Sequence, residues 1–280
     1  MQDTHDDEPG LCFICLEATP PLVASGCACR GTAALAHVSC RVRAARALVL
    51  QKRSFKWWSA CPTCQQPLTG EMHEGLARTW WTDAKELSAD DREWQEAAAN
   101  LAWALSEQGM LDDAAKLLRE LLAAEQRVFG AEAPQSLSTS GNLALCLSRQ
   151  GAHAEALQMQ RALLEVQTRV LGAEHLDTLS TMGNIAASLT MHAKLGEAVA
   201  ILRPLLATLQ RVLPADEPTT LATTGNLAIA LSLQGQHREA VAIFMQLLGT
   251  QLRVLGPAHQ DTVCTATNLE ASLVHMRPRV

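Results

Sequence analysis

The sequence predicts a mainly α-helical protein in two parts: a small metal-dependent domain, then a solenoid of stacked antiparallel helix pairs. Two observations carry this. Seven of the nine cysteines and one histidine fall in four close pairs between residues 12 and 64, namely Cys12/Cys15, Cys27/Cys29, His37/Cys40 and Cys61/Cys64. From residue 89 onwards the chain repeats itself every 42 residues. One- and two-residue gaps let both members of a pair grip one ion, and a tetrahedral Zn²⁺ takes four sulfur or nitrogen ligands. Eight ligands in four pairs therefore make two closed sites and imply two zinc ions. Self-similarity over tens of residues marks a solenoid.

Bulk properties narrow the function classes. A chain of 280 residues, 48% hydrophobic and 19% charged, is expected to hold about two folded domains. The net charge of −6 argues against wholesale nucleic-acid binding. No apolar run approaches the ~18 residues of a spanning helix, and the polar start is not that of a signal peptide. The expectation is a soluble protein of the cytoplasm or nucleus, where clustered cysteines mean metal and not disulfides. Cys146 and Cys264 lie outside the cluster and read as inert helix residues.

Residues 1–10, with Asp3, Asp6, Asp7 and Glu8 before Pro9-Gly10, read as an acidic, solvated leader. Residues 11–70 carry few apolar side chains, and a module of that size commonly depends on metal. Eleven residues separate Cys15 from Cys27, seven separate Cys29 from His37, and twenty separate Cys40 from Cys61. Ala44, Ala45, Ala47, Leu48 and Leu50 suggest a helix in the long gap. Between residues 30 and 70 stand Arg30, Arg41, Arg43, Arg46, Lys52, Arg53 and Lys56 with no acidic residue. They read as a solvated basic face, with an anionic partner as the alternative.

This ligand order, with its one-residue second pair and seven residues before the histidine, resembles the RING-CH (variant RING) family of ubiquitin ligases. The resemblance implies a cross-brace, with Cys12, Cys15, His37 and Cys40 on one zinc and Cys27, Cys29, Cys61 and Cys64 on the other. It also implies a ubiquitin-charged conjugating enzyme as partner, docked on Ile14, Pro62 and Trp58, with Trp57 as the rival of Trp58. The alternative for the tryptophans is that they cover the second zinc. Active members commonly carry Arg or Lys just after the last ligand, where this chain has Gln65. A PHD finger, a reader of histone tails, shares the ligand order, but with a wider second pair and a shorter gap to its histidine. No aromatic cage is evident for one, and the chain has no Tyr.

Residues 71–88 form a bridge. Leu76, Trp80, Ala84 and Leu87 recur at helical spacing and predict a helix over 71–87, with Ser88 as N-cap of the next. The array then runs from 89 to 280. Asn100, Asn142, Asn184, Asn226 and Asn268 recur at intervals of 42. Gly109, Gly151 and Gly235 follow nine residues behind three of them, and then come Ala114, Ala156, Ala198 and Ala240. Arg127, Arg169, Arg211 and Arg253 each precede Val, and Gly130, Gly172 and Gly256 close three units. Each unit reads as two antiparallel helices with alanine at their close approach. Units span about 89–130, 131–172, 173–214 and 215–256, with a terminal helix at 261–275. Asp177-Thr178 is expected to cap the first helix of the third unit. That unit departs most, with His192-Ala193 at its turn and Pro214 at its close. Counting back 42 from Leu118, Leu122 and Phe129 reaches Leu76, Trp80 and Leu87. The bridge is thus expected to be a cryptic second helix that caps the array and fastens it to the zinc module.

These units look like tetratricopeptide repeats, and Arg169 to Leu179 resembles the kinesin-light-chain type. The resemblance implies that the first helices line a concave surface for a protein or peptide substrate. Asn100, Asn142, Asn184, Asn226 and Asn268 would pair with its backbone, and Trp103, Leu145, Ala187 and Ile229 would set side-chain preference. Bonding of the asparagines to neighbouring helices is the alternative. The array holds no catalytic constellation. Together the resemblances imply a RING-CH-type ubiquitin ligase without covalent catalysis of its own, whose repeats bind the substrate. The alternative is a non-catalytic zinc-containing adaptor.

Overall fold

The computed structural model describes residues 11–19, 21–27, 29 and 34–276. The acidic leader and Arg30 lie outside the described residues. The chain packs as two compact units that divide between Cys146 and Leu147.

In the first unit a short antiparallel pair, β1 (Val23–Ala24) and β2 (Leu35–Ala36), opens the structure, with Val23 opposite Ala36. Helix α1 (Val38–Lys52) fills the long gap between ligands, and a single 3₁₀ turn, Phe55–Trp58, follows it. Helix α2 (Gly70–Ala84) occupies the bridge and buries Met72, Leu76, Trp80 and Ala84; it stops short of the expected 71–87, and Leu87 lies beyond it, 41% exposed. Gly75 lets α2 pack tightly on the start of α1: a Cβ there would stand 2.6 Å from Val38 Cγ1. One core runs from Cys12 through Trp57, Trp58, Leu68 and Trp80 to Ala97. At its centre Trp58 stacks on Trp80, 5.4 Å apart and 5° from parallel, with Phe55 at 5.5 Å on Trp80. Stacked indoles bury large apolar area in a module that has little aliphatic surface to offer.

Helices α3 (Arg92–Glu107), α4 (Leu111–Phe129) and α5 (Pro134–Arg149) continue the chain. The structure caps α3 with Asp91, whose carboxylate accepts from the Glu93 N–H at 2.8 Å, and not with Ser88. Ser88 Oγ instead accepts from the Asp90 N–H in the preceding turn. The 42-residue register extends back into α2, since Met72 and Leu76 stand where Ala114 and Leu118 stand in α4, and all four are buried.

The second unit holds α6 (His153–Val170), α7 (Leu176–Met191), α8 (Leu195–Val212), α9 (Pro218–Leu233), α10 (His237–Val254) and α11 (Gln260–His275). The recurring alanines, Ala156, Ala198 and Ala240, are fully buried, which lets paired helices close on each other. Ile185, Leu189, Leu202, Leu227, Leu231 and Phe244 fill the space between. The cap of α7 is His175, whose Nδ1 accepts from the Asp177 N–H, and His259 repeats the arrangement for α11. Asp177-Thr178, expected as the cap, lies inside the helix, which starts one residue earlier at Leu176. The turn glycines Gly151 and Gly235 are left-handed, and Ala193 adopts the same conformation at φ 57° without the freedom of glycine. The recurring arginine before Val acts as a clasp: Arg127 pairs with Asp90, and Arg211 with Glu174. Among the described residues no helix is long and apolar enough to cross a membrane.

Candidate metal centre and binding face

The four pairs converge two by two. Cys12, Cys15, His37 and Cys40 form one cluster, and Cys27, Cys29, Cys61 and Cys64 the other, with the ligand atoms of each within 4.8 Å of one another. Local structure explains the grip. The Cys12–Cys15 loop is closed by the Leu16 N–H on Cys12 O at 2.7 Å and tied to β2 by the Phe13 N–H on Leu35 O. The Cys61–Cys64 loop is closed in the same way by Gln65 on Cys61 O at 2.8 Å. His37 is the N-cap residue of α1 and Cys40 lies in its first turn, so one helix start carries two ligands.

The donor spacing fits a tetrahedral Zn²⁺. Zn–S bonds of about 2.3 Å and Zn–N bonds of about 2.0–2.1 Å put two sulfurs about 3.8 Å apart and a sulfur and nitrogen about 3.6 Å apart. Cys29 and Cys61 sulfurs are 3.7 Å apart. His37 Nδ1 lies 3.4 Å from Cys15 Sγ and 3.6 Å from Cys40 Sγ.

Within each cluster the thiols do not ionise alike. Burial opposes ionisation of Cys12, but backbone N–H groups of Cys15, His37 and Ile14 outweigh it and bring the thiol down to about 6. Cys15, pushed by burial and by the Cys12 and Cys40 sulfurs against one N–H of Glu17, rises to about 11. In the second cluster the N–H groups of Cys64 and Thr63 overcome burial to hold Cys61 at about 6. The Cys27 and Cys64 sulfurs, with burial added, push Cys29 up to about 12. One thiolate discourages the next, and a dication shared by all the donors removes that penalty.

Of the described basic residues, Arg43, Arg46, Lys52, Arg53 and Lys56 are exposed, as a solvated face requires, and Arg41 is buried. Arg46 makes a bidentate pair with Asp83, at 2.6 and 2.9 Å. Lys52 and Lys56 lie over the Trp57 ring, and Arg43 donates to Cys40 Sγ at 3.2 Å. Arg41 is buried and donates to Cys61 Sγ. Charge alone puts Arg41 in solvent with the others; its place next to Cys40 in sequence is the signal for another role.

Of the residues expected to dock a conjugating enzyme, Ile14 is 38% exposed and Pro62 is half-buried in the Cys61–Cys64 loop. Trp58 is 2% exposed and stacked on Trp80, so its surface is committed to the core. Trp57 is buried as well, and Gln65 is exposed with φ 59°.

The recurring asparagines fare differently. Asn100 is buried, and its Oδ1 accepts from His73 Nε2 on α2 at 3.0 Å, so a neighbouring helix takes up its carbonyl. Asn142 is exposed, and Asn184, Asn226 and Asn268 are half-buried. Each unit opens a groove beside such a residue. In the first, about 360 Å³ is lined by Phe55, Lys56, Trp80, Asn100, Trp103 and Asn142. In the second, about 520 Å³ is lined by Leu221, Asn226, Ile229, Leu247, Gln251 and Cys264, among others. Trp103 and Leu145 are both more than 40% exposed, while Ala187 and Ile229 are half-buried. Cys146 is buried on α5, and Cys264 is exposed on α11.

Known proteins match the helical part of the chain. One tetratricopeptide-repeat family model matches residues 94–166 and 135–211, and a second matches residues 220–261. Among solved structures, BtubC (BKLC) from P. vanneervenii is 18% identical with a TM-score of 0.57, covering 78% of this chain and 90% of that one. The nearly identical TPR-like repeats of a candidate kinesin light chain from Podosopora anserina are 22% identical with a TM-score of 0.53. That match covers 77% of this chain and 95% of the other. No curated protein matches the chain.

Proposed function

Because the chain belongs to the tetratricopeptide-repeat proteins, by models that match residues 94–211 and 220–261, we propose that it is a zinc-stabilised protein-interaction scaffold. Its helix pairs bind an extended segment of a protein partner, and two zinc ions hold the N-terminal module in shape. The observation that carries this reading is the groove beside the recurring asparagine in each unit, with an apolar wall and an amide at its edge. An amide there pairs with a peptide backbone, while Trp103 in one groove and Ile229 in the other select side chains. Zinc bound at the two clusters supplies folding free energy, on the order of 10–16 kcal/mol for a structural site. His37 brings Nδ1 to the first cluster, and the two tight loops hold Cys12, Cys15, Cys61 and Cys64 in place around the ions.

Selection from a random-peptide library on the full chain tests the binding reading. Asn226→Ala or Ile229→Asp should weaken selected peptides at least about tenfold, a loss on the order of 1.4 kcal/mol. Peptides indifferent to both substitutions, and to Trp103→Ala, would count against the grooves.

A second reading is that the module is a RING-CH-type ubiquitin ligase that recruits a ubiquitin-charged conjugating enzyme. It is favoured by the interleaved order of the pairs, first with third and second with fourth, and by the exposed Ile14. With Trp58 in the core, the docking surface in this reading narrows to Ile14 and Pro62, and Gln65 supplies a hydrogen bond where a charge would brace ubiquitin. An autoubiquitination assay over a panel of conjugating enzymes, with Ile14→Ala as control, separates the readings. Chains that depend on Ile14 support the ligase, and no chains with any enzyme leaves the scaffold.

A further inference from the structure

Arg41 is the first-turn neighbour of Cys40, yet only 3% of it is exposed. Its guanidinium lies 4.6 Å over the Phe13 ring and its Nη2 donates to Cys61 Sγ at 3.8 Å. Nε and Nη1 meet no hydrogen-bond partner among the described residues. A guanidinium stays charged when buried, so it needs an anion at hand. What faces Arg41 is sulfur.

The two donor sets differ in the charge they leave behind. Three thiolates and an imidazole around Zn²⁺ leave one excess negative charge; four thiolates leave two. Arg43 reaches the first set from the exposed side, through Cys40. The second set, with the larger excess, has the buried arginine. Arg41 is also planted in the first set. Its N–H donates to the carbonyl of His37, and Phe13 beneath it lies between Cys12 and Cys15. His37, Cys40 and the Phe13 loop, which would hold zinc at the first set, are thus the residues that position the guanidinium toward Cys61.

We propose that Arg41 is the buried counter-charge of the Cys27, Cys29, Cys61 and Cys64 zinc site and strengthens metal binding there. This rests on the zinc reading above. With zinc present, the arginine offsets charge that the four sulfurs leave unbalanced. Arg41 is thus a positioning residue that acts through the ligands.

The test is titration of the full chain with Zn²⁺ against a chromogenic chelator. A parallel Co²⁺ titration uses absorption bands that distinguish a four-sulfur from a three-sulfur, one-nitrogen site. Arg41→Met, which keeps length and removes charge, should weaken the four-sulfur site about 10–100-fold and leave the other within a few-fold. Arg41→Lys should recover much of the loss, and Arg43→Met should leave the four-sulfur site unchanged. Arg41→Met with unaltered affinity at that site, or Arg41→Lys as weak as Arg41→Met, would overturn the proposal. If Arg41→Met does not fold, Arg41→Gln against Arg41→Lys decides on the same terms, with equal affinities counting against it. A wild-type chain that binds fewer than two zinc ions overturns the zinc reading and this inference together.

Discussion

Residues 11–84 and residues 92–275 bury themselves by different means. The first stretch packs cysteine, tryptophan and a charged arginine, and leaves His37 Nε2, both Trp57 and Trp58 Nε1, and two Arg41 nitrogens buried without partners. The second packs alanine against leucine, and many of its buried polar groups recur on the 42-residue period: Thr139, Thr181, Thr223 and Thr265 are each buried. Orphaned polar groups are costly, and the array has them too, at Asn100 Nδ2, Gln167 Oε1 and Gln251 Oε1 among others; what sets the N-terminal stretch apart is two sulfur-rich clusters that an ion would close. The array needs only its neighbours. On the zinc reading proposed above, one region is held at points, by metal; the other is held everywhere, a little at a time.

Four experiments sharpen or break this contrast. The largest effect belongs to metal removal. A strong chelator, or Cys61→Ser, should abolish the near-ultraviolet dichroism of Trp57, Trp58 and Trp80 while most far-ultraviolet helical signal from α5 to α11 survives. Equal loss of both signals would erase the distinction. Next comes Trp80→Ala, which empties the stack with Trp58 and Phe55 and should lower stability by about 3–5 kcal/mol. Thermal melts should show the drop in the transition reported by tryptophan; a shift below about 1 kcal/mol would deny α2 its fastening role. Within the array, Ala198→Leu should cost about 1–3 kcal/mol by overpacking, against almost nothing for leucine at an exposed site.

The fourth is a gain. Glu125 is 7% exposed, at the position where Gln167 and Gln251 stand in other units. Burial pushes its carboxyl above the usual range, opposed in part by a hydrogen bond from Thr139. The folded state therefore holds the proton longer than the unfolded chain, and stability falls as pH rises through the raised value. Glu125→Gln should stabilise the protein on the order of 1 kcal/mol at neutral pH. It should be near-neutral below the unfolded carboxylate range, where both states are protonated. Urea melts across pH check it, and a gain that does not shrink on acidification would point to another cause.

The array was legible because periodicity is a local property copied many times. Helix-pair boundaries, buried Ala156 and the turn glycines all follow from it, and the register reached back to a helix expected over 71–87, of which the structure keeps Gly70–Ala84 and leaves Leu87 exposed. Single positions were harder. Ser88 and Asp91 are both good caps, and geometry chose Asp91. Trp58 reads as exposed until Trp80, twenty-two residues on, is seen to stack against it. The Asn100 partner, His73, sits on the bridge helix, outside the repeating unit where the pattern was read. Arg41 is one of seven basic residues in sequence and a distinct one in space, because the direction of a side chain from the first turn of α1 is not written in composition.

Zinc content together with the metal's X-ray absorption on the purified full chain bears most directly on the whole account. It predicts two zinc ions per chain, with seven sulfurs and one nitrogen shared between them, as the two clusters of Cys12, Cys15, His37, Cys40 and Cys27, Cys29, Cys61, Cys64 require. Fewer than two ions, or a shell dominated by oxygen, would contradict it.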